Sequence, residues 1–79
     1  SVALDATGNL YVADTKNHRI QLFSNGAWSL FAATGFGTTA GKLNLPKGVF
    51  VTSTGQVIVA DTGNGRIQSF NTGTWTVLM

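Results

Sequence analysis

The chain has 79 residues, of which 43% are hydrophobic and 10% charged, with a net charge of +2 and no cysteine. This length allows one small domain that hides about 60% of its unfolded surface, and the lack of cysteine excludes disulfides and thiolate metal sites. One histidine and three acidic residues are too few for a metal site within one chain, so we expect no metal or cofactor. We find no signal peptide and no run of transmembrane length, so we expect a soluble protein of unknown compartment with no membrane partner.

Four short apolar runs follow one another in the first part of the chain. They cover residues 2–4, 10–13, 20–23 and 28–31, and they are separated by turn residues such as Gly8 and the pair Asn25-Gly26. β-Branched and aromatic residues are frequent in them, and no window shows a sustained period of 3.6 residues. The pattern therefore predicts four strands and no helix.

The second part of the chain repeats the first at an offset of 47 residues. Residues 13–21 (ADTKNHRIQ) return as residues 60–68 (ADTGNGRIQ), and the register holds without a gap from Val2/Val49 to Ala32/Met79. Fourteen of these 31 pairs are identical, whereas average composition gives roughly two by chance. The second set of runs covers residues 49–51, 57–60, 67–70 and 75–78. Such self-similarity predicts a repeat architecture, in which each unit buries its apolar faces against its neighbours.

The fold class that this pattern predicts is an all-β protein with two four-stranded antiparallel blades of a β-propeller. Several runs are apolar at successive positions, which indicates sheets covered on both faces, as in a propeller. We assign residues 1–32 to the first blade, 33–47 to a connector and 48–79 to the second blade. Two blades leave an apolar flank open at each end, and such flanks are typical of interfaces.

The repeated segments resemble a known repeat family. Residues 2–5, 8–15 and 17–23 are similar to the NHL repeat, and residues 45–49 (LPKGV) match its Pro-x-Gly-Val motif before the innermost strand. His18 and Asp5 differ from their repeat partners, Gly65 and Thr52. The resemblance implies a β-propeller, usually of six blades, in a family that includes RNA-binding domains, protein-interaction scaffolds, sensor domains and a metal-dependent amidating lyase.

In a standard propeller, the loops between the second and third strands and the connectors open on the same face. That face would carry the candidate ligand or polyanion-binding residues, which are Lys16, His18, Phe36, Lys42 and Lys47. Phe36 lies between two glycines and is either a ligand contact or a plug over the groove between the blades. Clustered cations neutralise phosphates, which makes a polyanion ligand one interpretation of this face; scattered surface lysines that only solubilise the chain are the other.

Two charged pairs on the same face recur at an identical spacing of five residues. Asp14/Arg19 and Asp61/Arg66 are therefore predicted to be structural pairs of each blade. Loss of either arginine is expected to destabilise the fold or the assembly by about 1–3 kcal/mol. His18 has no histidine as its repeat partner, which favours a structural role over a catalytic or metal-binding one.

The function predicted from these observations is a non-enzymatic propeller unit that assembles into a closed ring and acts as a scaffold. Identical chains are the expected partners, with three giving six blades; a longer chain that supplies the missing blades is the alternative. Proteins or small ligands are expected on the loop face, and RNA or another polyanion is the second hypothesis. A fragment of a lyase-type enzyme is a lesser one, because one histidine offers few ligands. No catalytic residue is assigned.

Overall fold

The computed structural model describes residues 1–31 and 37–79, which form two four-stranded antiparallel sheets. Strands of the first sheet follow chain order, with β1 at Val2–Leu4, β2 at Leu10–Asp14, β3 at Arg19–Ser24 and β4 at Ala27–Phe31. The second sheet repeats this order, with β5 at Gly48–Val51, β6 at Val57–Asp61, β7 at Arg66–Asn71 and β8 at Thr74–Val77. The all-β prediction and its two four-stranded units are confirmed.

Two-residue turns close the β3–β4 and β7–β8 hairpins. Asn25 and Gly26 both have positive φ, at 54° and 78°, as a type I′ turn requires. Their counterparts are Thr72 and Gly73, with φ of 46° and 83°. Because a β-branched residue is strained at positive φ, the second hairpin is closed by the less favourable sequence.

A single turn of 3-10 helix links the second and third strands of each sheet, at Thr15–Asn17 and at Thr62–Asn64. The sequence predicted plain turns and no helix, and these two single turns are the difference. Each ends at a residue in the left-handed region, His18 at φ 55° and Gly65 at φ 63°. The left-handed residue stops the helix after one turn and directs the chain back along the sheet.

The main core lies between the two sheets. Its fully buried side chains include Ile20 from the first sheet and Val59 from the second. Leu43 from the segment that joins the sheets is also 0% exposed. Phe31 packs edge-on against both Tyr11 and Phe70, with ring centroids 5.1 Å apart in each pair. Leu43, in the described part of the connection between the sheets, is thus part of the core.

The two sheets meet through different faces. Residues directly opposite each other on neighbouring strands share a face, so the strand registers assign every side chain to one side. The first sheet packs inward with the face of Ala3, Tyr11, Ala13, Ile20 and Leu22. The second packs inward with the face of Val49, Val51, Val57, Val59 and Phe70.

Across the described residues, no helix is long and apolar enough to span a membrane.

Candidate functional site

The same four polar residues stand around the β2–β3 turn and around the β6–β7 turn. In the second sheet, Asp61 ends β6 and pairs in register with Arg66 at the start of β7. Gln68 lies two residues further along β7 and therefore on the same face, and Asn64 ends the 3-10 turn between the strands. We call Asp61, Asn64, Arg66 and Gln68 the second-sheet cluster; its counterpart, the first-sheet cluster, is Asp14, Asn17, Arg19 and Gln21.

The buried carboxylate of Asp61 is the centre of the second-sheet cluster. Its Oδ2 accepts hydrogen bonds from Arg66 Nε at 2.7 Å, Asn64 Nδ2 at 3.0 Å and Gln68 Nε2 at 3.1 Å. Its Oδ1 accepts the backbone N–H of Asn44 at 2.7 Å. Burial acts to raise the pKa of Asp61, but the hydrogen bonds from Asn44, Asn64 and Arg66 and the charge of Arg66 outweigh it and hold the pKa below its usual value. The carboxylate is therefore ionised and fully hydrogen-bonded.

The remaining donors of Arg66 and Asn64 bind the connector, whose described part is residues 37–47. Arg66 donates through Nη1 to the carbonyl oxygen of Thr38, and through Nη2 to those of Thr39 at 3.1 Å and Lys42 at 2.9 Å. Asn64 Nδ2 donates to the carbonyl oxygen of Gly37 at 2.7 Å. A planar guanidinium with five donors suits this arrangement, because one side chain satisfies the carboxylate and three carbonyls together.

Gln68 binds the connector both as a hydrogen-bond donor and as an acceptor. Its Nε2 donates to the carbonyl oxygen of Lys42 at 2.9 Å, and its Oε1 accepts the backbone N–H of Gly41 at 3.0 Å. The cluster therefore binds the connector entirely through backbone groups.

The first-sheet cluster has similar internal contacts, but no hydrogen bond joins it to the described part of the connector. Arg19 Nε donates to Asp14 Oδ2 at 2.8 Å, and Gln21 Nε2 donates to the same oxygen at 3.1 Å. Asn17 Nδ2 contacts both carboxylate oxygens at 3.1 Å. The bond from Arg19 is the main cause that lowers the pKa of Asp14. Within residues 1–31 and 37–79, the guanidinium of Arg19 donates through Nε alone.

Solvent exposure separates the two ion pairs. The side chains of Arg19 and Asp14 are 41% and 22% exposed, whereas those of Arg66 and Asp61 are 13% and 0% exposed. The two pairs that look equivalent in the sequence thus lie in different environments.

The later part of the connector contacts the first sheet. The hydroxyl of Thr15 donates to the carbonyl oxygen of Pro46 at 2.8 Å, and His18 Nδ1 accepts the backbone N–H of Leu45 at 3.0 Å. In this arrangement the only histidine of the chain acts as a hydrogen-bond acceptor for the connector. The connector is therefore bound to both sheets.

The lysines predicted for a ligand-binding face lie in the 3-10 turn and in the connector. Lys16 and Lys47 are exposed, whereas Lys42 is half-buried and its side chain passes close to Gly37. These three lysines are called the basic-face lysines below. Phe36, the remaining predicted contact, lies outside the described residues. The described residues hold no group of three or more His, Asp or Glu side chains that could bind a metal ion.

Asp5 stabilises the turn at the opposite end of the first sheet. Burial acts to raise its pKa, but hydrogen bonds from the side chains and backbone N–H groups of Thr7 and Asn9 lower the pKa to about 2. Tyr11 also donates its hydroxyl to Asp5 Oδ2 at 3.1 Å, and burial together with this contact raises the pKa of Tyr11. In the second sheet the hydroxyl of Thr52 accepts the equivalent bond from Gln56 N–H at 3.0 Å. Asp5 therefore acts in this turn as a local hydrogen-bond acceptor.

Comparison with known proteins places these two sheets in a family. The family model described as the NHL repeat matches residues 1–23 and 43–70, so one match falls on each sheet. The chain belongs to the NHL repeat family. No curated protein sequence matches it. The resemblance predicted from the sequence is thereby confirmed, with each sheet corresponding to one repeat, and the two sheets are consistent with propeller blades.

Two members of each cluster were missed in the sequence analysis. Asn17/Asn64 and Gln21/Gln68 are conserved between the repeats in the same way as the Asp/Arg pairs, and this recurrence was a sufficient signal to include them. The burial of Leu43 was also missed, although Leu43, Leu45 and Pro46 bring three apolar residues close together at the end of the connector. A connector with apolar residues is more typical of a packed segment than of a free linker.

Proposed function

We propose that the chain is a non-enzymatic pair of NHL blades that joins further blades of the same type in a closed ring, and that the ring acts as a binding scaffold. One observation supports this proposal above the others. Each sheet has one face that packs against the other sheet and one open flank. The residues of each open flank correspond, through the 47-residue repeat, to the residues of the other sheet's packed face.

The open flank of the first sheet corresponds to the packed face of the second. Val2, Leu4, Leu10, Val12 and Phe23 stand 47 residues before Val49, Val51, Val57, Val59 and Phe70, which pack against the first sheet. Leu4 is 65% exposed, and its counterpart Val51 is half-buried. The first sheet thus presents to solvent the kind of surface that the second sheet buries.

The open flank of the second sheet corresponds in turn to the packed face of the first. Phe50, Ile58, Ala60 and Ile67 are the counterparts of Ala3, Tyr11, Ala13 and Ile20. Phe50 is 62% exposed. Large exposed apolar patches are typical of interfaces. A second copy can therefore stack on the first with the same pair of faces that already meet inside the chain.

This contact is heterologous, because it joins two different faces in a head-to-tail manner. Heterologous contacts close into a ring when the rotation between neighbours divides a full turn. Propellers typically have four to eight blades, and three chains of 8.3 kDa would give six blades and a mass of about 25 kDa. The single histidine of the chain supports the non-enzymatic part of the proposal.

Light scattering after size exclusion tests the assembly directly. We expect the parent chain to elute with a mass near three chains at micromolar concentration. Leu4→Asp and Phe50→Asp each place a charge on one flank and should each abolish the ring, whereas Ser53→Asp in an exposed turn is the matched control. A folded parent chain that remains monomeric at high concentration would refute the proposal.

Mixing the two flank variants tests whether the contact is head-to-tail. Each variant retains one intact flank, and the two intact flanks are complementary. An equimolar mixture should therefore form a dimer of one chain of each kind. A mixture that stays monomeric although the parent assembles would show that the faces do not pair as proposed.

Polyanion binding is a second candidate function, favoured by the exposure of Lys16 and Lys47 on the side where the 3-10 turns contact the connector. Single-stranded RNA binding should then weaken with salt, with a log-log slope of about −0.7 for each neutralised phosphate. Changing the basic-face lysines to glutamine should flatten this slope without lowering the melting temperature. We expect weak binding that is lost near physiological salt, because base-stacking aromatic residues are lacking among the described residues of this surface. Sequence-selective binding that survives ~150 mM salt would make polyanion recognition the main function.

A further inference from the structure

We propose that the first-sheet cluster is a binding site for a short looped peptide segment of the connector type, which it recognises through the peptide backbone. The partner is defined by its chemistry: a short glycine-containing segment that presents carbonyl and N–H groups in the spacing found at residues 37–44. The cluster lies on the same face of the first sheet as Val2 and Val12, which is the flank that the proposed ring contact would use. The test is therefore made on a variant in which the ring cannot form.

The second-sheet cluster provides the geometric template for this site. If Gly37 is position i of the segment, the carbonyl oxygens of positions i, i+1, i+2 and i+5 accept hydrogen bonds from Asn64, Arg66 and Gln68. The N–H groups of positions i+4 and i+7 donate to Gln68 and Asp61. Four side chains thus form hydrogen bonds with six backbone groups of one octapeptide.

The first-sheet cluster contains the same four side chains in the same strand register. Asp14 pairs with Arg19 in the antiparallel ladder, as Asp61 pairs with Arg66. The Nε–Oδ2 distances agree within 0.1 Å, at 2.8 and 2.7 Å. Arg19 therefore makes the same Nε contact as Arg66, with its terminal nitrogens unused among the described contacts. Such a preorganised fork gains hydrogen bonds on binding with little further loss of side-chain freedom.

The aromatic residue beside each cluster indicates which segment fits. In the second sheet, Trp75 lies against Gly41, the residue at position i+4: a Cβ there would be 2.9 Å from Trp75 Cδ1, and the φ of Gly41 is +85°. Trp28 is the repeat counterpart of Trp75, and it is 55% exposed. A bound segment with glycine at i+4 would cover Trp28 in the same way, whereas a larger residue would meet its ring.

One difference between the sheets predicts a weaker fit at the end of the segment. Gly63 contacts Asn44 so closely that a Cβ on Gly63 would lie 2.6 Å from the carbonyl oxygen of Asn44. The first sheet has Lys16 at this position. Position i+7 of the segment must therefore shift away from the first-sheet cluster, and the change Lys16→Gly should remove this obstacle.

Fluorescence anisotropy with a labelled peptide of residues 37–47 (GTTAGKLNLPK) tests the proposal on the full-length Phe50→Asp variant, which keeps the first-sheet flank intact and should not form the ring. We expect saturable binding accompanied by a change in tryptophan emission. Arg19→Ala should weaken the binding by roughly tenfold or more, since it removes three charge-assisted hydrogen bonds to carbonyls. Lys16→Gly should strengthen it, and Lys47→Gln, which removes one exposed positive charge elsewhere, is the matched control and should leave it unchanged.

Modified peptides distinguish recognition of the peptide backbone from non-specific binding. N-methylation at the glycine of position i+4 removes one N–H and should abolish binding, whereas alanine at the two threonine positions should have little effect, because only their carbonyls are used. Absence of saturable binding at millimolar peptide would overturn the proposal. It would also be overturned if a scrambled peptide bound equally well, or if Arg19→Ala impaired RNA binding while no peptide bound.

Tethering the segment provides a second measurement for a weak interaction. A variant chain that carries the sequence of residues 33–47 directly before Ser1 places the segment in register with the first-sheet cluster at millimolar effective concentration. It should melt at a higher temperature than a variant with a scrambled extension, and Arg19→Ala should abolish the difference. Equal melting temperatures for the two extensions in the Phe50→Asp background would overturn the proposal.

Discussion

Loss of the arginine in each cluster should have very different effects on stability, although the sequence treats the two arginines alike. Arg66→Ala removes the charged partner of a carboxylate that is 0% exposed. Breaking a buried ion pair by removing one partner costs about 3–5 kcal/mol, because a buried charge is left uncompensated. Asp61 retains donors from Asn64, Gln68 and the backbone of Asn44, so we expect the lower end, about 3 kcal/mol.

Arg19→Ala acts on a pair that is in contact with water when the first-sheet flank is free, as in the Phe50→Asp variant. Asp14 is 22% exposed and can be hydrated when its partner is lost, and exposed ion pairs contribute about 0.2–1 kcal/mol. We therefore expect a loss of less than about 1 kcal/mol. The sequence predicts the same loss of stability, about 1–3 kcal/mol, for both arginines. From the structure we instead expect a large loss for Arg66→Ala and a small loss for Arg19→Ala.

Urea denaturation followed by tryptophan fluorescence measures both losses in the same assay. A chain of this length has a free energy of unfolding of about 4–12 kcal/mol, so Arg66→Ala should shift the midpoint strongly with an unchanged slope. If Arg66→Ala prevents folding, the milder Arg66→Lys and Arg19→Lys can be compared instead. Arg66→Lys should then lose more stability than Arg19→Lys. Equal losses in the two sheets, or a larger loss for Arg19, would refute the argument from burial.

Three further predictions follow from the described contacts. Acidification below about pH 4 should destabilise the fold, because the pKa values of the three aspartates are lower in the folded chain than in the unfolded chain. The stability that they contribute is present above the unfolded pKa and is lost as the pH falls toward about 2, the pKa of Asp5. Thermal melts recorded over a pH series would show this loss. Leu43→Ala should cost about 2–5 kcal/mol in chemical denaturation, whereas Leu45→Ala, at a side chain 40% exposed, should cost much less; similar losses would disprove the role of Leu43 in the core. Gly63→Ala should lower the free energy of unfolding by about 1–3 kcal/mol, because the new Cβ would meet Asn44. Lys16→Ala, at the equivalent position of the first sheet, should have almost no effect. An unchanged stability of Gly63→Ala would contradict the close contact with Asn44.

The sequence was sufficient to predict the sheets because local signals and the repeat agree. Gly8, Asn25-Gly26 and their counterparts mark the turns, and the 47-residue offset gives each strand a second, independent observation. The two-residue turns and the strand order could be deduced from these signals alone.

The difference between the two clusters could not be predicted, because it depends on what packs against them. Asp14 and Asp61 have nearly the same sequence neighbours, yet only Asp61 is covered by the connector. The groups that cover it are backbone N–H and carbonyl groups, which every residue carries and which leave no signature in the sequence. The role of His18 was hidden for the same reason, since its partner is the backbone N–H of Leu45.

The attachment of the connector to both sheets has a consequence for motion between them. Thr15 and His18 bind it on one side and Arg66 on the other, so the hydrogen bonds that link the sheets lie at the end where β2 meets β3. At the opposite end, the described hydrogen bonds of the turns around Asp5 and Thr52 remain within each sheet. Opening fluctuations should therefore widen the gap between the sheets at this second end, with the connector as the hinge axis. Faster amide exchange around the Asp5 and Thr52 turns than in the connector would reveal this unequal stiffness, and uniform exchange would exclude it.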